Sequence, residues 1–205
     1  FHIEHVNLHF DLSAAETRVT SIMTIKRNNA LANATTPLVL DGRELTLLEI
    51  KLNAQPLDAT QYQLDAEQLT IPHVADTFEL TTVVRIHPEK NTALEGLYAS
   101  STMLCTQCEA QGFRHITYFL DRPDVMSRYQ VTLTADKKTY PVLLSNGNLI
   151  EHGDLAKGRH YAVWQVPSLK PCYLFALVAG DLAHIEDEFV TRSGRRVALR
   201  VYTEA

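Results

Sequence analysis

Residues 78–86 read FELTTVVRI, and Phe78, Leu80, Val84 and Ile86 alternate there with Glu79, Thr81 and Arg85. A period of two over nine residues, rich in β-branched types, predicts a half-buried strand and excludes an amphipathic helix. Working outward, Val6, Leu8, Phe10 and Leu12 repeat the pattern near the start, and Val19, Met23 and Ile25 share one face of a strand over Arg18–Arg27. Shorter strands are expected at Pro37–Leu40, Thr46–Leu52, Tyr62–Leu64 and Gln68–Ile71, punctuated by Asp41-Gly42 and Asn53–Pro56.

Toward the C-terminus, strands are expected at Tyr129–Thr134, Val142–Leu144 and His160–Val166, with Ser145-Asn146-Gly147-Asn148 as a turn. The apolar run Tyr173–Val178 reads as a strand buried on both faces, being too short for a core helix. Glu186–Thr191 and Arg196–Tyr202 flank Arg192-Ser193-Gly194-Arg195 as a hairpin. Short strands at this spacing predict an all-β fold of twisted antiparallel or mixed sheets, sandwich-like, with at most short helical turns. The sequence stops at Ala205 without a polar tail and opens on Phe1 without Met, so a trimmed chain is expected.

Composition narrows the function. The chain has 205 residues, 45% hydrophobic and 21% charged, which describes a globular protein with a sizeable core. A net charge of −5 and a pI near 6.0 argue against nucleic acid or an anionic membrane as partner. No apolar run reaches transmembrane length. Three cysteines, an odd number, fit a reducing compartment, and the chain is read as cytoplasmic.

Between Asn91 and Tyr129 the alternation stops: NTALEGLYASSTMLCTQCEAQGFRHITYFLDRPDVMSRY. This connection is too apolar for disorder, and long connections on a sheet scaffold tend to carry binding groups. Asp121-Arg122-Pro123-Asp124 resembles a helix start that fixes the segment. Cys105 and Cys108 lack a second pair for a zinc ribbon and read as reduced structural thiols. Glu109 is either a solvated carboxylate or one held at a pocket edge to bind a cation. His2, His5 and His9 lie on a strand, where His5 and His9 stand about 13 Å apart. Zinc ligands lie within about 2.3 Å of the metal, so these are surface histidines. No HExxH occurs.

The segments NTALEGLY, CTQCEAQGFRHITYFLDRPDV, LLSNGN and KPCYLFALVAGDL, in this order, resemble the N-terminal domain of bacterial aminopeptidase N. These are zinc aminopeptidases of the gluzincin group, and the likeness is to the alanyl aminopeptidase branch over essentially the whole chain. The resemblance implies a saddle of β-sheets packed intramolecularly on a thermolysin-like catalytic domain. It implies that Glu109 binds the free α-amino group of the peptide N-terminus and that Gln107 lines the first-residue pocket. It places a boundary near Asp181, with 1–181 the β domain and 182–205 the opening strands of a catalytic domain. The family's GxMEN segment, HExxH and distal glutamate are not in this sequence, so zinc and catalysis are expected in the full-length enzyme and not in this chain. Without its catalytic domain, the apolar side chains of Leu104–Gly112 are expected to be exposed or covered by a neighbouring molecule. The competing reading is a free-standing β-sandwich interaction module.

Overall fold

Alternation in sequence becomes alternation in burial. In the computed structural model, which describes residues 1–28, 30, 33 and 35–204, Ile3, Val6, Leu8 and Phe10 point inward from the first strand while His2, His5 and His9 face out. Ala205, the last residue of the expected second unit, lies outside the described residues. The strands in chain order are β1 (His2–Asp11), β2 (Thr17–Lys26), β3 (Leu38–Asp41), β4 (Thr46–Leu52), β5 (Gln55–Pro56), β6 (Gln63–Leu64), β7 (Gln68–Ile71) and β8 (Thr77–Ile86). There follow β9 (Gly96–Ser100), β10 (Met103–Gln107), β11 (Met126–Asp136), β12 (Val142–Ser145), β13 (Asn148–Asp154), β14 (Arg159–Pro171), β15 (Leu177–Gly180), β16 (Leu182–Val190) and β17 (Arg196–Glu204). The helical segments among the described residues are single 3-10 turns, as expected for an all-β chain.

An eight-stranded sheet runs β13-β14-β11-β1-β2-β8-β4-β5, with β1 and β11 parallel. A four-stranded sheet runs β12-β15-β10-β9, a three-stranded one β3-β7-β6, and β16-β17 form a ribbon of their own. One face of the large sheet is buried and the other solvated, the usual state of an antiparallel sheet. Its inward Phe10, Met23, Leu80 and Val131 share a single core with Leu40 and Ile71 of the three-stranded sheet and Leu104 and Leu177 of the four-stranded one. The two smaller sheets share that core with the large one, and the 96–125 segment supplies two strands of the four-stranded sheet and bridges to β3 through Asp41 and Phe119.

Four expectations are corrected. The segment 91–129 is not strandless: β9 and β10 form a hairpin turning at Ser101, whose φ is +53°. Its small polar residues hide the period. The apolar run 173–178 is not one buried strand but a 3-10 turn, Cys172–Leu174, followed by β15, with Leu174 half exposed. An unbroken apolar run has no period with which to tell these apart. Asp121–Asp124 starts no helix; it is a turn closed by Val125 N–H donating to Arg122 O (3.2 Å). Strand β14 continues past Pro167, where the register against β11 slips between Ser127 and Tyr129. A proline is tolerated at such an irregularity because no ladder donor is required there.

Candidate functional site

Gln107 ends β10, and Glu109 follows two positions later on the turn that leads back into the core. Both are exposed, whereas Cys108 between them is buried. The Gln107 side-chain amide donates to the Glu109 carbonyl (Nε2–O 3.1 Å), which ties the two sequence-predicted residues into one unit. The Glu109 carboxylate has no hydrogen-bond partner among the described residues and stands free to receive a cation. The Glu109–Ala110 peptide is cis.

Two glycines let the backbone close tightly behind this turn. Gly112 N–H donates to Cys108 O (2.9 Å), and a Cβ at Gly112 would collide with Gln107 O. Gly96, paired with Gln107 across β9–β10, has φ +74°, and a Cβ there would stand 2.6 Å from His115 Cβ. The close approach of three backbone segments therefore requires glycine at both positions.

Beneath the turn lies a buried polar network. Arg114 donates to Asp121 Oδ2 from its backbone N–H (3.1 Å) and from Nε (2.9 Å), and Cys172 Sγ donates to Asp121 Oδ1 (3.1 Å). Asp121 N–H in turn donates to Asp41 Oδ2 (3.1 Å), and Asp41 bridges Phe119 through both backbone groups (2.8 and 3.0 Å). The DRPD segment does fix the loop as expected, through its carboxylate and not through a helix. A buried carboxylate needs such partners to offset its desolvation. Burial pushes the Cys108 thiol up to about 12 and also raises the Cys172 thiol, with Asp121 as the next cause for each. Both are buried, protonated thiols, which fits the sequence reading of Cys108 as structural. Cys105, Cys108 and Cys172 are all unpaired.

Lys170 enters this region from β14. Its Nζ is buried, has no hydrogen-bond partner among the described residues, and lies 4.1 Å from the Tyr129 ring centroid and 5.3 Å from that of Phe175. Burial pulls its ammonium down to about 8, opposed by Cys108 and Cys172. Around it Phe113 packs edge-on against Phe119 (4.9 Å) and Phe175 (5.4 Å). Leu104, Cys108 and Phe113 are buried by this chain alone, so the expected exposure of the apolar side chains of Leu104–Gly112 is overturned. The sequence reading missed Gly96, Gly112, His115 and Lys170 as supports of the turn. Only the paired glycines carried a sequence signal, since a glycine marks close backbone approach.

Zinc finds no home here. Among the described residues no three His, Cys, Asp or Glu side chains are placed to hold a metal ion, and His2, His5 and His9 splay along an exposed strand face. The residues present do not fit the metal, and no chemical step is assigned through it in this chain.

The model of the peptidase M1 N-terminal domain matches residues 2–174. The chain is 52% identical to aminopeptidase N of Caulobacter vibrioides over 204 residues, covering 100% of this chain and 23% of that protein. Among solved structures, Legionella pneumophila aminopeptidase A in complex with aspartic acid superposes with a TM-score of 0.93 at 34% identity, over 99% of this chain and 24% of that one. An M1 zinc metallopeptidase from Deinococcus radiodurans, bound to a Tyr-Ser-Ala substrate, shares the fold with a TM-score of 0.80 at 16% identity, over 100% of this chain and 48% of that one. The chain thus spans under a quarter of the length of the curated relative.

Proposed function

From the premise that this chain belongs to the peptidase M1 N-terminal domain family, we propose that it is the substrate-recognition domain of a zinc-dependent aminopeptidase that removes N-terminal residues from peptides. In this reading the Glu109 carboxylate pairs with the α-ammonium of the substrate, and Gln107 shapes the pocket of the first residue. The observation that carries it is the Gln107–Glu109 unit: an unpaired carboxylate at an exposed turn, held from behind by buried glycine contacts and by the Asp121 network. An aminopeptidase must measure the distance from an ammonium to the scissile carbonyl, and a fixed carboxylate supplies that reference point. The zinc chemistry belongs to the part of the catalytic domain that lies beyond this chain.

We read 1–181 as the recognition domain and 182–205 as the start of that catalytic domain. Two observations support the division: the family match ends at residue 174, and β16-β17 form a separate ribbon. Peptide N-termini are the partners in this reading, reached in the cytoplasm. No helix among the described residues is long and apolar enough to cross a membrane.

The test is Glu109→Ala in the full-length protein. Removing one partner of a desolvated charge pair costs about 2–5 kcal/mol. The expected loss in kcat/KM is therefore roughly one and a half to three and a half decades, at about 1.36 kcal/mol per decade. N-acetylated substrates, which have no ammonium, are the control. Gln107→Ala is expected to be milder and to reorder preferences among first residues. Free-amine substrates untouched by Glu109→Ala would leave the carboxylate an ordinary surface group.

A further inference from the structure

His115 is buried, with its side chain 5% exposed, and each ring nitrogen meets a different glutamate. Nδ1 lies 3.3 Å from Glu44 Oε2 and Nε2 lies 3.2 Å from Glu95 Oε2. Neither contact has hydrogen-bond geometry, so both nitrogens are buried polar atoms whose nearest partners are carboxylates. Both glutamates are more than half exposed, which leaves either side chain room to turn toward the ring. A neutral imidazole has one donor and one acceptor. Set between two carboxylates, it can satisfy one and must face the other with a lone pair. Only the doubly protonated ring donates to both.

The contact reaches the candidate site in two backbone steps. His115 Cβ packs directly on Gly96, which pairs with Gln107, and His115 N–H donates to Gly112 O (3.1 Å) while Gly112 N–H holds Cys108 O. Glu95 is the chain neighbour of Gly96, and Glu44 belongs to the segment on which Arg43 N–H donates to Arg114 O (2.9 Å). A cleft of ≈ 210 Å³ lined by Glu44, His87, Lys90, Asn91 and His115 opens this point to solvent. Protons can therefore reach a ring that is otherwise enclosed.

We propose that His115 is a positioning residue: clasped between Glu44 and Glu95, it clamps the β9 edge and the Gly112 turn together and so sets where Gln107 and Glu109 stand. The clasp rests on the reading of those two residues as the substrate anchor. It is complete when both ring nitrogens carry protons, because each then donates to one carboxylate. The other charged groups facing it are the His87 and Lys90 side chains across the cleft and Arg43, whose charge acts on both glutamates.

The experiment uses the full-length protein with His115→Gln and Glu95→Gln. The glutamine at 115 keeps one donor and one acceptor but cannot take a second proton. Charge-assisted hydrogen bonds are about twice as strong as neutral ones, so KM for free-amine peptides is expected to rise roughly three- to tenfold, with kcat changing less. Amide exchange at Gly112, corrected for intrinsic chemistry, should be faster in both variants than in the wild type. Ring ¹⁵N shifts of His115 should show two protonated nitrogens in the wild type. A single neutral tautomer throughout, or Gly112 exchange unmoved by either variant, would overturn the clasp even if Glu109→Ala raised KM. Gly112 responding as expected while neither Glu109→Ala nor His115→Gln altered KM would instead sink the anchor reading and leave the clasp standing.

Discussion

The segment from Gly96 to Asp121 and the hairpin from Leu182 to Glu204 are both rich in apolar side chains, and they end in opposite states. Leu97, Leu104, Phe113, Ile116, Tyr118 and Phe119 are at most 2% exposed, whereas Ile185 is 73%, Val201 62% and Phe189 58% exposed. The difference lies in the partners each has within the chain. The first segment is enclosed by the eight-stranded sheet on one side and by β15 and the three-stranded sheet on others. The hairpin pairs only with itself, and a two-stranded ribbon cannot bury its own face. Ile185 stands opposite Val201 and Phe189 opposite Val197, with Asp187 opposite Leu199 between them, so one face is largely apolar and broken by a single carboxylate. The need for a missing partner, expected at the recognition turn, falls on the hairpin instead. The turn that carries Gln107 and Glu109 is thus packed within this chain, which suits the fixed distance that the proposed anchor would require.

The sharpest way to break this comparison is to empty the packed side. Phe113 touches Phe119, Tyr129 and Phe175 and has no exposure, so Phe113→Ala is expected to cost about 3–5 kcal/mol in denaturant unfolding. A cost near zero would mean that the segment is held by its polar network alone.

A second, smaller effect concerns Lys170 and runs with pH. Burial lowers its ammonium from 10.5 to about 8 in the fold, so between those values the unfolded chain binds a proton that the folded one has lost. Stability should therefore rise as the pH climbs above about 8. Cys108, raised to about 12, and Cys172, also raised, act in the opposite sense, since their unfolded thiols ionise first, from about 9 upward. The rise is expected only in the narrow window between about 8 and 9. Replacing a buried, unpaired charge by an apolar side chain is often stabilising, so Lys170→Met should abolish the rise and add about 1–3 kcal/mol near neutral pH, less whatever the ring contacts supplied. Thermal unfolding of both forms across pH 6 to 9.5, roughly the range spanning these groups, reads this directly.

How much of this was legible beforehand follows from where period-two patterns exist. FELTTVVRI and the inward set Val6, Leu8 and Phe10 gave β8 and β1 because one face is buried and the other wet. Strand β13 gave nothing, since all but one of its residues are exposed and no alternation is enforced. The hairpin β9–β10 was hidden by Ser100, Ser101 and Thr102, and the 3-10 turn at Cys172 by an apolar run whose members are buried for tertiary reasons. The proposed anchor pair, Gln107 and Glu109, came from family resemblance and not from pattern. His115, Lys170 and Asp121 act through contacts between residues far apart in the chain, Tyr129 to Lys170 (41 positions), Glu44 to His115 (71) and Asp41 to Asp121 (80), and no local pattern encodes such pairings.

The smallest expected effect is the one that sharpens the comparison most. Phe189 is 58% exposed on a ribbon that packs on nothing over its apolar face, so Phe189→Ser in this chain should change unfolding stability by no more than about 0.5 kcal/mol. The same residue type at 113 is expected to cost several times more, although both sit in apolar stretches of the sequence. An exposed apolar strip drives association, so Phe189→Ser and Ile185→Ser should lower self-association in sedimentation velocity while leaving the unfolding midpoint in place. In a longer form of the protein, where further strands could cover that face, Phe189→Ser should become a core substitution and its cost should approach that of Phe113→Ala. A cost of more than about 2 kcal/mol in this chain alone would mean that the ribbon already has its partner, and the contrast between the two regions would collapse.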